Sequence, residues 1–83
     1  MYFTYVLFSL KDRKLYVGFT KDLALRFSQH HQSKVQSTKY RQPLQLIYYE
    51  ACLNKWDALR REKYFKTHYG RMFLKKRLRE WSG

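Results

Sequence analysis

Two groups of side chains in this 83-residue sequence do not suit the positions that its hydrophobic pattern gives them. At about 100° per residue, Ala58, Glu62, Phe65 and Tyr69 fall within one narrow arc of a helix, adjoining Leu59. Glu62 stands near the middle of that apolar stripe. A carboxylate desolvated there is costly unless it has a cation, hydrogen bonds or a proton. Two chemistries meet that need: an ion pair with one of the chain's many arginines, or service as a hard oxygen ligand for Mg²⁺. Earlier in the chain, Leu23, Arg26, Phe27 and His30 share one side of a helix, with Arg26 and His30 one turn apart. A permanent cation and an imidazole therefore face the direction that ought to be core. His30 is either a hydrogen-bonded structural histidine or a group that handles protons. His31 points further round and reads as exposed. Tyr5 and Tyr16 lie on strands expected to pair, where cross-strand aromatics ordinarily serve packing.

Other chemistries are missing from the pattern. There is no zinc spacing, no phosphate-binding glycine loop and no Ser-His-Asp set. The lone Cys52 cannot form an internal disulfide or join other cysteines around zinc, which fits a reducing cytoplasm. The run from Tyr2 to Leu10 is too short to span a bilayer and lacks a basic leader and a small-residue cleavage site, so a soluble, unexported protein is expected. Eighteen Lys and Arg against six Asp and Glu leave a net charge of +12. Such an excess repels itself in the compact state and points to a polyanionic partner, nucleic acid first. The basic residues are spread along the chain and do not line one amphipathic helix, which argues against a membrane surface.

The elements that must position these groups read as follows. Tyr2 to Phe8 and Leu15 to Thr20 are strand-like, separated by polar Lys11 to Lys14: a β-hairpin. Thr20 is expected to cap a helix from Lys21 to about Gln32, with Asp22 in its first turn. A polar loop ending at Pro43 leads to a third strand, Leu44 to Cys52, read as a simple alternation that sets Leu44, Leu46, Tyr48 and Glu50 on one face. Asn54 is expected to cap a helix running to about Tyr69, with Gly70 interrupting before a basic helical stretch through Trp81. Eight Tyr, six Phe and two Trp compensate for a short chain's thin core. The order ββαβαα predicts one α/β domain of the α+β kind, a small, largely antiparallel three-stranded sheet flanked by helices.

Four motifs then fall into a familiar order. "FTY" (Phe3-Thr4-Tyr5) is followed, ten residues on, by "YVG" (Tyr16-Val17-Gly18). "DLALRFSQH" carries Arg26 ten residues after Tyr16 and His30 four later, and "ALRREKYFK" carries Glu62. Together these resemble the GIY-YIG nucleases over nearly the whole chain, nearest to the small single-domain members described as UvrC-like or URI-type endonucleases. Gly18 would leave room beside the site. Departures are present. Phe3 and Thr4 replace the first glycine and isoleucine, Phe19 stands where some relatives have a lysine, and no asparagine lies near Leu74.

The resemblance implies hydrolysis of a phosphodiester by in-line attack of water, with one Mg²⁺ or Mn²⁺ ion held by Glu62 and no small-molecule cofactor. Arg26, always protonated, would grip the phosphate. Tyr16, with Tyr5 across the hairpin, is the family's candidate base, although a phenol near pKa 10 is only about 0.1% ionised at pH 7. His30 could act as base or hydrogen-bond a tyrosine, and we expect Tyr16 as base with His30 in support. Lys34, Lys39 and Arg41 in the long loop, and Lys75, Lys76, Arg77 and Arg79 near the end, are expected to contact phosphates. Tyr40 could stack on an unpaired base. DNA is favoured over RNA as partner. The rival expectation is a basic DNA- or RNA-binding module that keeps the fold without turnover.

Overall fold

A computed structural model describes residues 1–81. Three strands form one antiparallel sheet in the order β2-β1-β3: β1 (Tyr2–Ser9), β2 (Leu15–Thr20) and β3 (Leu44–Cys52). Three helices complete the ββαβαα order: α1 (Leu23–His31), α2 (Lys55–Phe65) and α3 (His68–Arg77). The central strand is the apolar one, because β1 is covered on both faces and must bury side chains of both parities. Tyr5 and Leu7 point to the α1 side with Leu44, Leu46, Tyr16, Leu23 and Phe27. Val6 points to the other side, with Val17, Phe65 and Leu74. There the Thr4 hydroxyl donates to the Ala58 carbonyl at 2.8 Å, tying α2 to the strand.

Several local expectations shift. Asp22, not Thr20, caps α1, accepting from Leu25 N–H at 3.0 Å, while the Thr20 hydroxyl accepts from Asp22 N–H. Simple alternation fails in β3: the register slips between Val6 and Leu7, so Leu44 and Leu46 join the α1 side while both Ile47 and Tyr48 pack on the other. The helix after Asn54 stops at Phe65, and Thr67 caps α3 by accepting from Gly70 N–H at 3.1 Å. Gly70 lies inside α3, where an added Cβ would stand 1.8 Å from the Tyr64 carbonyl oxygen. Its role is close helix–helix approach. The α3 helix ends at Arg77, short of Trp81. Because α2 ends early, Tyr69 leaves the apolar arc and is 73% exposed.

The loop between α1 and β3 is pinned to the rest. Ser9 Oγ donates to the Arg41 carbonyl at 2.7 Å, Leu10 N–H to the Pro43 carbonyl at 2.9 Å, and the Gln42 amide to the His30 carbonyl. Val35 and Thr38 turn inward and are buried. Among the described residues no helix is long and apolar enough to cross a membrane.

Candidate active site at the edge strand

Gly18 on β2 pairs with Tyr5 on β1, so the two point to the same face. A Cβ at Gly18 would come within 2.3 Å of the Tyr5 phenol carbon and oxygen. The glycine thus lets the Tyr5 ring lie flat across the edge strand. There the Tyr5 hydroxyl meets His30 Nε2 at 2.8 Å, and His30 Nδ1 meets Thr38 Oγ1 at 2.7 Å. Tyr16, two residues before Gly18 on the same face, brings its ring 6.4 Å from Tyr5 and 5.2 Å from His30, centroid to centroid. The structure therefore joins Tyr5, Tyr16 and His30, three of the sequence candidates. It adds Thr38, which reading by type alone placed in a polar loop. The one signal was the spacing of Val35 and Thr38, a three-residue interval in that loop.

Burial divides the two phenols. Tyr5 is buried, and that burial pushes its pKa up to about 12, against the pull of the nearby Arg26 guanidinium. His30 is also fully buried, and burial, reinforced by the Arg26 charge, lowers it to about 4. Both groups are neutral at pH 7, and each has a partner. Tyr16 is half-buried, and its oxygen accepts from Ser37 Oγ at 3.3 Å near solvent. Arg26 is half-buried as well and spends one N–H on the Gln29 side chain at 3.2 Å. Its fork keeps further donors.

Glu62 reaches this group from elsewhere. Phe65 of α2 packs on the Val6 side of the sheet, the face opposite Tyr5. Among the described residues Glu62 has Lys66, not an arginine, as its ion-pair partner at 3.3 Å, and its side chain is 20% exposed. Its negative charge is nonetheless felt at the Tyr5 phenol, which it helps to raise. α2 packs across all three strands, among them β2, one of the two edges of the sheet. A ligand lying over the β2 edge can touch both faces. The arginine ion pair expected for Glu62 belongs instead to Glu50, which Arg61 grips through two nitrogens at 2.8 and 3.1 Å.

A cation has limited means of binding here. Among the described residues no three His, Cys, Asp or Glu side chains cluster. One half-buried carboxylate held only by a flexible lysine suits a hard, hydrated ion, which keeps most of its water. Such a donor set fits one Mg²⁺ and does not fit zinc.

The basic candidates separate by position. Lys34, Lys75, Lys76, Arg77 and Arg79 are exposed, whereas Lys39 is half-buried and lies 4.8 Å over the Tyr40 ring, itself 72% exposed. Arg41 is occupied: Asp12 receives its Nε at 2.5 Å and an Nη at 3.2 Å, and the Lys14 carbonyl takes another bond. That guanidinium pulls Asp12 down to about 2.

Comparison with known proteins gives one consistent picture. Residues 1–78 match the model of the GIY-YIG catalytic domain. The UPF0213 protein SERP0126 of Staphylococcus epidermidis is 36% identical over 75 residues, covering 89% of this chain and 90% of that one. A UPF0213 protein of Limosilactobacillus reuteri is 43% identical over 68 residues, covering 78% and 70%. The solution NMR structure of the UPF0213 protein BH0048 from Bacillus halodurans superposes with a TM-score of 0.54 at 29% identity, covering 89% of this chain and 82% of that one.

Proposed function

The chain belongs to the GIY-YIG catalytic domain family, and from that premise we propose that it is an endonuclease that hydrolyses phosphodiester bonds of nucleic acid, DNA before RNA, in the cytoplasm. The observation that supports this most is the meeting at β2 of a half-exposed phenol, a guanidinium with donors to spare and a carboxylate whose charge reaches the same place.

Glu62 would hold one divalent ion, Mg²⁺ or Mn²⁺, exchanging the Lys66 ammonium for it. When bound, such an ion supplies positive charge to a non-bridging phosphate oxygen and to the departing 3′-oxygen. Arg26 grips the scissile phosphate with the N–H groups that Gln29 leaves open, and its charge grows more valuable as the transition state becomes more anionic. Tyr16 is the general base that takes the proton of the attacking water. Tyr5 cannot share that task, because it holds its proton until about pH 12. Its hydroxyl shares a hydrogen bond with His30 Nε2, and His30 Nδ1 shares one with the Thr38 hydroxyl, which leaves every member satisfied. His30, fully buried, touches no substrate and acts as a positioning residue: it fixes Tyr5, against which Tyr16 rests. Lys34, Lys39, Lys75, Lys76, Arg77 and Arg79 add phosphate contacts whose strength falls steeply with salt.

The test is cleavage of duplex, single-stranded and branched DNA and of RNA, with Mg²⁺ and with chelator. Comparison of the parent with Glu62→Ala and Arg26→Ala should show cleavage lost in both while salt-sensitive binding persists. Binding without cleavage of any substrate by the parent would favour the non-catalytic module.

A further inference from the structure

The proposed cleavage site leaves one costly feature unused. Arg71, half-buried on α3, makes no ion pair, side-chain hydrogen bond or ring contact among the described residues. Its desolvation and the neighbouring charge of Arg41 both depress its pKa. A guanidinium nevertheless stays charged in a protein, so this burial remains a cost until an anion arrives. Arg71 forms part of the rim of a cleft of about 530 Å³, and Lys75, one helical turn further, and Arg79 continue that rim. Arg79 has an exposed and loose partner in Glu80 at 3.5 Å. The floor is apolar and aromatic: Phe8, Leu15, Leu74 and Trp81. Phe8 and Trp81 meet edge to face with centroids 4.9 Å apart, and because Phe8 is buried with Arg13 over its ring, half-buried Trp81 carries the accessible aromatic surface of the cleft. Its volume lies within the roughly 300–1,000 Å³ common for ligand pockets.

The position of the cleft suggests what fills it. Leu15 in its floor directly precedes Tyr16 on β2, and consecutive residues of a strand point to opposite faces. The cleft and the candidate cleavage site therefore stand back to back across the edge strand. A chain that carries one anion per unit and a flat apolar group between anions could lie over that edge and touch both.

We infer that the cleft receives an unpaired base of the bound nucleic acid, with Arg71 and Lys75 holding the adjoining phosphate. This rests on the nucleic-acid reading above and narrows it, because the preferred substrate must then contain a single-stranded segment near the cut. Stacking between a base and an aromatic ring tolerates any sequence. Recognition would thus be of structure, not sequence.

The experiment is fluorescence of Trp81 in a Trp56→Phe background, where it is the sole tryptophan, since the chain has two and Trp56 is 67% exposed on α2 outside the cleft. The probes, in chelator, are an oligothymidylate of about six nucleotides, a base-free deoxyribose phosphate of equal length and charge, and oligoglutamate. Oligothymidylate should quench Trp81, and the base-free oligomer should not. Arg71→Gln should weaken oligothymidylate binding about tenfold and reduce the salt slope by about one unit. Equal response to the base-free oligomer, a response to oligoglutamate alone, or indifference to Arg71→Gln would overturn the inference. Glu62→Gln should leave the quenching unchanged, so failure of cleavage and failure of base binding are separately visible.

Discussion

On one side of β1, Val6 packs with Val17, Phe65 and Leu74; on the other, Tyr5 leads into a hydrogen-bonded line through His30 to Thr38. Burial is equally complete: Val6 and Phe65 are 0% exposed, and so are His30 and Thr38. The first side stabilises by removing apolar area from water. The second side buries polar groups, each of which must find a partner, and among the described residues no buried side-chain polar atom lacks one. That difference teaches where function can reside. A face of hydrocarbon tolerates volume-conserving change, whereas a polar line is worth having only if its geometry is used. The candidate chemistry lies where the polar face reaches the edge strand.

Three perturbations would separate the faces, in falling order of size. Phe65→Ala on the apolar side should cost about 3–5 kcal/mol in urea unfolding, because the ring is wholly buried among Val6, Tyr48 and Phe73. Its folded fraction should keep the Tyr5–His30 contact.

Acid should act next, and on the other face. His30 titrates at about 4 in the fold against an ordinary value near 6.5, so the unfolded chain takes up the proton first. Its contribution to stability is whole above about pH 6.5 and is lost as pH falls towards 4, amounting to about 3 kcal/mol. Glu50 on the α2 side also has a lowered pKa, from its bonds with Arg61 and Tyr48 working against burial. Its loss begins only as pH drops through the carboxylate range. Urea midpoints between pH 7.5 and 5 should therefore fall in the parent and stay nearly level in His30→Gln; an equal fall in both would place the acid sensitivity elsewhere.

Thr38→Val should be the smallest, about 1–3 kcal/mol, since shape is kept while His30 Nδ1 loses its partner. Thr38→Ser should restore most of that. If Val and Ser behave alike, the hydroxyl contributes nothing and the polar line ends at His30.

Much of this was legible in sequence, for reasons of range. The strand from Leu44 to Cys52 and the Asn54 cap follow from patterns within a dozen residues, and the structure has them at the expected positions. Residues Arg26, His30 and Glu62 stood out because polar chemistry fell on apolar faces. What could not be read depends on distant partners. Asp12 claims Arg41 from 29 positions away, and Glu50, not Glu62, claims an arginine. The slip that turns Tyr48 away from Leu46 arises from pairing with β1, which no single strand displays. Gly70 looked like a helix breaker, yet Thr67 makes the break and the glycine serves the contact with Tyr64. The opposed placement of α2 relative to Tyr5 also lies beyond any local pattern.

The most direct test is single-turnover cleavage with saturating enzyme, Mg²⁺ and a branched DNA, in the parent, Glu62→Gln and Tyr16→Phe. If acid and phenol act on one phosphate across the edge strand, each variant should cut at least about a hundredfold more slowly while binding the same DNA equally well in chelator. Parent-like cutting by Glu62→Gln would contradict the account, because the carboxylate on α2 would then have no part in a site built around Tyr16.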